Sequence, residues 1–588
     1  MELLNTQNEV YTKFGHKVII DPSIWHLADG KISLDIETDE YDGFVGLALY
    51  DGTDCFYFSK LSKKLSAYLE NFSFIGHNIK FDCKFLTNQF GINIEPTQLA
   101  EDTAIMSYVI DPTKDSHGLK QLAQQYLKLE WPTYKQMVHP DSEHPSKKVT
   151  LDKQSIEKVA AYCGADAIAT YKLWEYFNKK INENEARILY EIELPLMRIL
   201  YEMEIKGVAV NIPYLQSLNK SFKEKLNNLY NHSIVLSGDL NFNVNSNTQL
   251  ARYLRSKGHK LPQTSKGNDS TKKDILETIN DPMVKIRLEY KKYHILQTTF
   301  IQGILNRENL GLIHTNYNQI SVKNDEYKGI STTRLSSSDP NLQNIPVHNE
   351  LGGLIREAFL PRNTDYLFIC ADYSQIEYRL LAHLTQEKRL IEAFKCGFDV
   401  HQETASLLGL SDRRDIGKTL NFAAIYGAQA KKISKTAKIT EKEAHKFLET
   451  YWRELPHVTN WINQVKYKAR QNRYIETLEN HRIYLPLISS KNMYERMHWE
   501  RAAVNYIIQG SAAEILKKAM IQLRSKGYLP ILTVHDELVF EIPKQYISHL
   551  DIDGEIENIK YIMENIVKLS VPLTVEVGYG KNWREAKQ

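Results

Sequence analysis

The chain has 588 residues, 42% hydrophobic and 25% charged, an ordinary globular composition. At roughly 100–200 residues per domain, it should form about three to five units with several buried cores. Its 74 basic and 72 acidic residues leave a net charge of +2. That excludes a histone-like or tail-like polycation, although a whole-chain sum hides local fields.

The first residues lack the basic and apolar regions of a signal peptide. No apolar run reaches 18 residues, so no membrane span is expected. Five scattered cysteines (55, 83, 163, 370 and 396) without a CxxC pair fit a reducing compartment and no disulfide framework or zinc knuckle. Apolar runs at 32–36, 44–50 and 55–58, separated by Asp42-Gly43 and Asp51-Gly52, predict a β-meander. Helical patterns follow at 119–127 and 156–177. Pro112, Pro132, Pro140 and Pro145 mark a loop-rich stretch inside this first domain. Long amphipathic helices are expected from about 186 to 300. The rest mixes strands, at 366–371 and 531–542, with long helices.

Carboxylates cluster in the first domain. Asp35 and Glu37 sit two apart on a predicted strand and so share a face. Asp82 follows Asn78 at a predicted helix start, and Tyr162 and Asp166 lie four apart on a predicted helix. Four close carboxylates repel one another unless cations sit among them, and hard oxygen ligands suit Mg²⁺ or Mn²⁺. Two such ions about 3.5–4 Å apart clamp the attacking and leaving oxygens of a phosphoryl displacement. Tyr162 is placed to orient the attacking water. The order Asp-x-Glu, Asn-x3-Asp, Tyr-x3-Asp resembles the three motifs of the DEDDy 3′–5′ exonucleases, which implies a ribonuclease-H-like fold.

Further along, Arg414, Lys418, Phe422 and Tyr426 recur every four residues and form one drifting helical stripe. Two cations one turn apart suit a triphosphate, and the aromatics suit a base or sugar. Asp372 ends an apolar run, and Asp536 with Glu537 lies between two apolar strand halves. Acids among strand hydrophobics are costly unless ligated or paired.

Together these motifs resemble the family-A DNA polymerases, with the Klenow-type fragment of bacterial DNA polymerase I the nearest pattern. The strongest stretches are 334–346, 372–377, 414–427, 500–510 and 534–537. The resemblance implies an α/β multi-domain chain. A ribonuclease-H-like DEDDy exonuclease domain (1–185) is followed by a right-hand polymerase domain (186–588): thumb about 195–300, palm about 301–380 and 505–588, fingers about 381–504. It implies that Asp372 and Asp536, with the Tyr373 carbonyl, hold two Mg²⁺ ions, Mn²⁺ being a substitute, and that Glu537 belongs to the catalytic set. Asp35, Glu37, Asp82 and Asp166 hold the exonuclease metals. Arg414 and Lys418 meet the triphosphate, and Lys418 protonates the leaving pyrophosphate. Phe422 packs on sugar and base, and Tyr426 stacks near the templating position. Gln375 and His401 lie near the triphosphate or primer end, and Glu377 is the steric gate against a ribose 2′-OH. Arg334, Arg501, Asn505 and Gln509 touch primer or template in the minor groove, where acceptors recur on every correct pair. The implied partners are primer–template DNA and dNTPs, met by a monomer without a membrane; no helicase or primase partner is read.

Departures from the family pattern are Ala423, Ala424 and Gly417 in the stripe helix, where an extra Gly costs about 1 kcal/mol and implies altered flexing. Asn480-His481 also replaces the usual Gly-Arg. A single-subunit RNA polymerase would share the two palm acids, but Glu377 argues against it; intact Asp372, Lys418 and Asp536 argue against a non-catalytic clamp. Residues 251–295 carry eleven basic against five acidic side chains, a second sign of phosphate binding. Residues 31–60 carry seven acids against two lysines, so the near-neutral total is a cancellation. There is no room for a 5′-nuclease domain. With the abundance of Lys, Asn, Ile and Tyr, this points to an apicoplast or other plastid-like replicase; a bacterial cytoplasmic or phage enzyme is the alternative.

Overall fold

The computed structural model describes all residues except 1–7, 24, 29, 140–147, 265, 324–325, 329–331, 348, 428, 545–551 and 588. Pro140 and Pro145 of the expected loop therefore lie outside the described residues.

The N-terminal body is built on seven strands: β1 (Asn8–Tyr11), β2 (Lys17–Ile20), β3 (Lys31–Thr38), β4 (Phe44–Tyr50), β5 (Cys55–Phe58), β6 (Ser73–Gly76) and β7 (Leu99–Asp102). Their order is β1-β2-β5-β4-β3-β6-β7. The expected meander β3–β4–β5 is antiparallel, and β6 and β7 extend it in parallel. On β3, Ile32, Leu34 and Ile36 enter one core, while Ser33, Asp35 and Glu37 alternate to the other face. The helix Ile156–Asn178 crosses that second face, and Ser33 Oγ donates to the Ala167 carbonyl at 2.8 Å. Its sheet-facing residues are small, and a Cβ on Gly164 would sit 2.6 Å from Val18 Cγ2.

The helix Leu194–Lys206 joins the two halves. Leu194, Met197 and Tyr201 belong to the N-terminal core, whereas Leu196, Ile199, Leu200 and Met203 belong to the large C-terminal core. Ion pairs cross the same seam: Glu204 meets Lys80 and Lys84, each at 2.5 Å, and Arg187 meets Glu479 at 2.8 Å. Just before this helix, Glu193 and Lys517 form a pair at 2.6 Å with both side chains only 1% exposed. Gln319 Nε2 donates to the second Glu193 oxygen at 2.7 Å. Removing one member of such a pair strands the other charge, at a cost of about 3–5 kcal/mol. Glu193→Gln is thus expected to lower the first thermal unfolding transition by several degrees, while Lys517→Met with Glu193→Leu recovers most of the loss; calorimetry reads both.

Helices Ile212–Ser237, Asn247–Ser256 and Pro282–Ile295 form the expected helical arm around a small core of its own. The stretch 251–295 is not continuously helical, however. Between Ser256 and Lys273 the chain is irregular, with Gly258 and Gly267 at φ +86° and +77°. Arg287, one of the eleven basic residues, is buried and donates to the Val244 carbonyl (2.8 Å), Asn245 (2.9 Å) and Asn247 (2.7 Å). With Arg287, the residues Arg252, Lys266, Lys272, Lys291 and Lys292 line a concavity of about 1700 Å³.

A second sheet carries four antiparallel strands in the order Pro530–Val534, Glu537–Pro543, Tyr366–Tyr373, Val575–Gly580. The 33-residue helix Met493–Ser525 packs into the same core. Among the described residues, seven helices between Ile376 and Asn472 stand beside it, including Val400–Leu407 and Arg414–Tyr426. Among the described residues no helix is long and apolar enough to cross a membrane.

Two candidate active sites

In the N-terminal body, β3 raises Asp35 and Glu37 side by side. Asp82 enters from the first turn of the helix Ile79–Phe90, and its Oδ1 accepts the Ile36 N–H at 3.1 Å. That bond ties the third carboxylate to the strand carrying the first two. Tyr162 and Asp166 come from one face of the helix Ile156–Asn178. The five residues picked by spacing therefore converge.

All four acids are perturbed in the same direction. Burial, joined by the charge of Asp166, pushes Asp35 up to about 7. Burial and the neighbouring acids push Glu37 and Asp82 well above the usual carboxylate range, and burial raises Asp166. Carboxylates this close and this dry ionise together only with a cation among them. The set of hard oxygen donors fits Mg²⁺ or Mn²⁺.

Three neighbours were not legible in the sequence. Lys120 pairs with Asp166 and lies over the rings of Tyr162 (4.2 Å) and Trp131 (4.3 Å). Trp131 Nε1 donates to Asp166 Oδ1 at 2.5 Å. Cys163 Sγ donates to the Asp35 carbonyl at 3.3 Å. Its ligand atom lies within 4.8 Å of those of Asp35 and Glu37.

The second site sits at the end of the C-terminal sheet. Asp372 lies in register between Glu537 and Glu576. Asp536 occupies the turn after His535, whose φ is +56°. The Tyr373 N–H donates to the Asp536 carbonyl at 3.3 Å, which fixes the turn beside Asp372. The Tyr373 hydroxyl points away, donating to the Met563 carbonyl at 2.8 Å, so only its backbone can serve the site. Burial pushes Asp536 up to about 6; Arg334 opposes this, and Glu377 and Asp372 add to it. Asp372 is likewise raised by burial, partly offset by Lys587, whose Nζ lies 2.5 Å from it.

Glu537 lies beside Asp372, sharing Lys587 with it. It is buried, accepts Trp583 Nε1 at 2.9 Å on one oxygen and pairs with Lys587 through the other. Arg356, stacked 3.9 Å over Trp583, stands 3.9 Å from it. Lys587 thus bridges Glu537 and Asp372.

Around these acids, Glu377 pairs with Arg334. On the helix Arg414–Tyr426, Arg414 bonds Asp399 at 2.5 Å, and Phe422 stays exposed, its ring 6.1 Å from that of buried His401. Burial lowers His401 to about 4, against the pull of Asp399. The side chains of Ala424 and Tyr426 lie outside the described residues, so the expected stacking by Tyr426 is not placed. Gly417 has a different meaning from the one expected. A Cβ there would fall on the His401 carbonyl and 2.9 Å from the Ala405 N–H. The glycine permits close packing of two helices and does not mark a flexible point. His481, at the other departure, is buried at the seam with its Nε2 3.2 Å from the Val109 carbonyl. Arg501, Asn505 and Gln509 share one face of the helix Met493–Ser525.

Buried polar atoms without partners are rare and call for an explanation. Among the described residues they include Arg334 Nε, Gln375 Oε1 and Asn505 Oδ1. All three belong to the set expected to touch nucleotide, primer or template, and a polar ligand would satisfy them.

Comparison with known proteins agrees with this geometry. A family model described as DNA polymerase family A matches residues 212–585, and one described as 3′-5′ exonuclease matches residues 24–182. DNA polymerase I of Borreliella burgdorferi is 33% identical over 99% of this chain and 65% of its own length. DNA polymerase I of Geobacillus stearothermophilus is 35% identical over 84% of this chain and 56% of its own length. The chain thus spans between about half and two thirds of these relatives. A solved structure, the POL domain of Pol1 from M. smegmatis in complex with DNA primer-template and dNTP, superposes with a TM-score of 0.80 at 29% identity. The match covers 95% of this chain and 96% of that one.

Proposed function

The chain belongs to DNA polymerase family A, with a 3′-5′ exonuclease module ahead of the polymerase module, and from that premise we propose that it extends a DNA primer on a template with dNTPs and proofreads its own 3′ end. The observation that carries this reading is the convergence of Asp372 and Asp536 through the Tyr373–Asp536 backbone bond, with Arg334 close enough to act on the Asp536 charge. In the proposed division the helical arm is the thumb (195–300), the four-stranded sheet is the palm (301–380 and 505–588), and residues 381–504 are the fingers.

Asp372, Asp536 and the Tyr373 carbonyl in one site, and Asp35, Glu37, Asp82 and Asp166 in the other, would hold Mg²⁺, or Mn²⁺ in its place, which activates the attacking oxygen and takes up charge on the leaving one. Arg414 and Lys418 neutralise the triphosphate, and Lys418 returns a proton to the pyrophosphate. Glu377, held by Arg334, fills the space of a 2′-hydroxyl. Arg334, Arg501, Asn505 and Gln509 test the shape of the last pairs from the minor groove. In the exonuclease site, Tyr162 orients the attacking water. An organellar setting is proposed from composition alone, and imaging of the tagged protein tests it.

A primer with a 3′ mismatch, incubated with Mg²⁺ and with or without dNTPs, tests both activities. Shortening without dNTPs and extension after excision are expected. Extension only with rNTPs would overturn the DNA-polymerase reading.

Phe422 lacks a hydroxyl where a dideoxynucleotide lacks its own. Phe422→Tyr can restore one hydrogen bond to a charged phosphate, about 1.5–3 kcal/mol. The ddNTP/dNTP incorporation ratio should therefore rise about 10- to 150-fold; an unchanged ratio refutes the assignment of Phe422.

A further inference from the structure

Asn421 lies on the helix Arg414–Tyr426 one residue before Phe422, on its buried side. Its amide contacts fix its orientation. Nδ2 stands 3.2 Å from the Val400 carbonyl, which can only accept, so the NH₂ group must face it. The same nitrogen lies 2.9 Å from His401 Nδ1. On the other side, Oδ1 receives the Tyr378 hydroxyl at 2.7 Å, and Thr404 Oγ1 lies 2.9 Å away. Flipping the amide would set its oxygen 3.2 Å from the Val400 carbonyl, two acceptors facing each other without a proton between them.

The consequence for His401 is a definite proton position. An Nδ1 that faces an NH₂ donor must accept, so the ring proton sits on Nε2. We propose that Asn421 is a positioning residue that holds His401 as the neutral Nε2–H tautomer, so that this N–H is the donor offered to the incoming triphosphate. Burial and the charges of Arg414 and Lys418 disfavour a second ring proton, against the pull of Asp399. Asp399 also anchors the His401 backbone, accepting its N–H at 2.9 Å, while its other oxygen pairs with Arg414. Helix start, cation and imidazole are thereby set as one unit. Gly417, packed on the His401 carbonyl, keeps the two helices close enough for the Asn421 bond. The inference rests on the proposed reading of His401 as a triphosphate contact.

Two measurements on the full chain test it. Nitrogen NMR of histidine-labelled protein, with His401 identified by its loss in His401→Gln, should show a protonated Nε2 and an unprotonated Nδ1 at neutral pH. Asn421→Asp, which replaces the donor by an acceptor, should move the proton to Nδ1 and raise KM for dNTP about tenfold, the size of one hydrogen bond to a charged group. Combined with His401→Ala, which should raise KM similarly, Asn421→Asp should add little. A wild-type ring protonated on Nδ1, or full additivity in KM, overturns the proposal. If His401→Ala leaves KM unchanged while the spectrum shows the Nε2 proton, the triphosphate reading of His401 fails and the tautomer assignment stands. Should Asn421→Asp not fold, the wild-type spectrum decides alone.

Discussion

Asp372→Asn should lower the rate of primer extension at least a thousandfold, about 4 kcal/mol of transition-state stabilisation, and leave mismatch excision at its wild-type rate. Asparagine keeps the size of the side chain and removes its charge. Lys587 retains Glu537 as a partner, so the variant should fold with an unfolding temperature near wild type. On the proposed reading, the loss falls on the chemical step because the carboxylate would hold a cation where charge develops on the attacking and leaving oxygens. Excision should be spared because its four carboxylates belong to the N-terminal body, with a different sheet and core. Rapid-quench extension of a matched primer and excision of a mismatched one, on the same preparation, check both halves. Wild-type extension by Asp372→Asn would remove the palm carboxylates from the mechanism.

The reciprocal variant, Asp35→Asn with Glu37→Gln, should abolish excision of a 3′ mismatch by at least a thousandfold and leave extension of a matched primer unchanged. It should also change stability in a direction that a merely disruptive mutation would not. Asp35 and Glu37 take up protons more readily in the folded chain than in the unfolded one, because burial and mutual repulsion disfavour their charges. Between an unfolded carboxylate value of about 4 and the folded value of about 7 for Asp35, the folded state binds more protons, so metal-free stability falls as pH rises. Above about 7 the full Asp35 penalty is present, and the raised Glu37 adds to it in the same direction. The double variant lacks it and should unfold at a higher temperature than wild type at pH 8 without metal. Mg²⁺ should stabilise the wild type, by about 2.7 kcal/mol at a hundredfold excess over Kd, and stabilise the double variant much less. A double variant that excises mismatches normally, or responds to Mg²⁺ like the wild type, would refute the site.

Much of the fold was legible because local periods report local geometry. The alternation on β3 placed Asp35 and Glu37 on one face, and the step of four placed Tyr162 over Asp166. The Asp-Gly pairs marked the meander turns, and the apolar halves around His535 and Asp536 marked two paired strands. Where the reading failed, the deciding contact was long-range. Charge counting summed Arg287 with the other cations of 251–295, but carbonyl and amide oxygens from residues 244–247 hold its guanidinium in the arm. Propensity made Gly417 a weak point in a helix, whereas the backbone of Val400–Leu407 lies against it and leaves no room for a Cβ.

The sequence by itself determined which carboxylates, cations and aromatics are candidates for the two sites, since each motif is a short run whose spacing fixes a shared face. Only the tertiary structure decided what surrounds them. Lys120 against Asp166, Lys587 against Asp372 and Glu537, and Asn421 against His401 join residues between 20 and 215 positions apart. The physical reason is that protonation, charge balance and side-chain orientation depend on neighbours in space, and no period of two or 3.6 residues reaches that far.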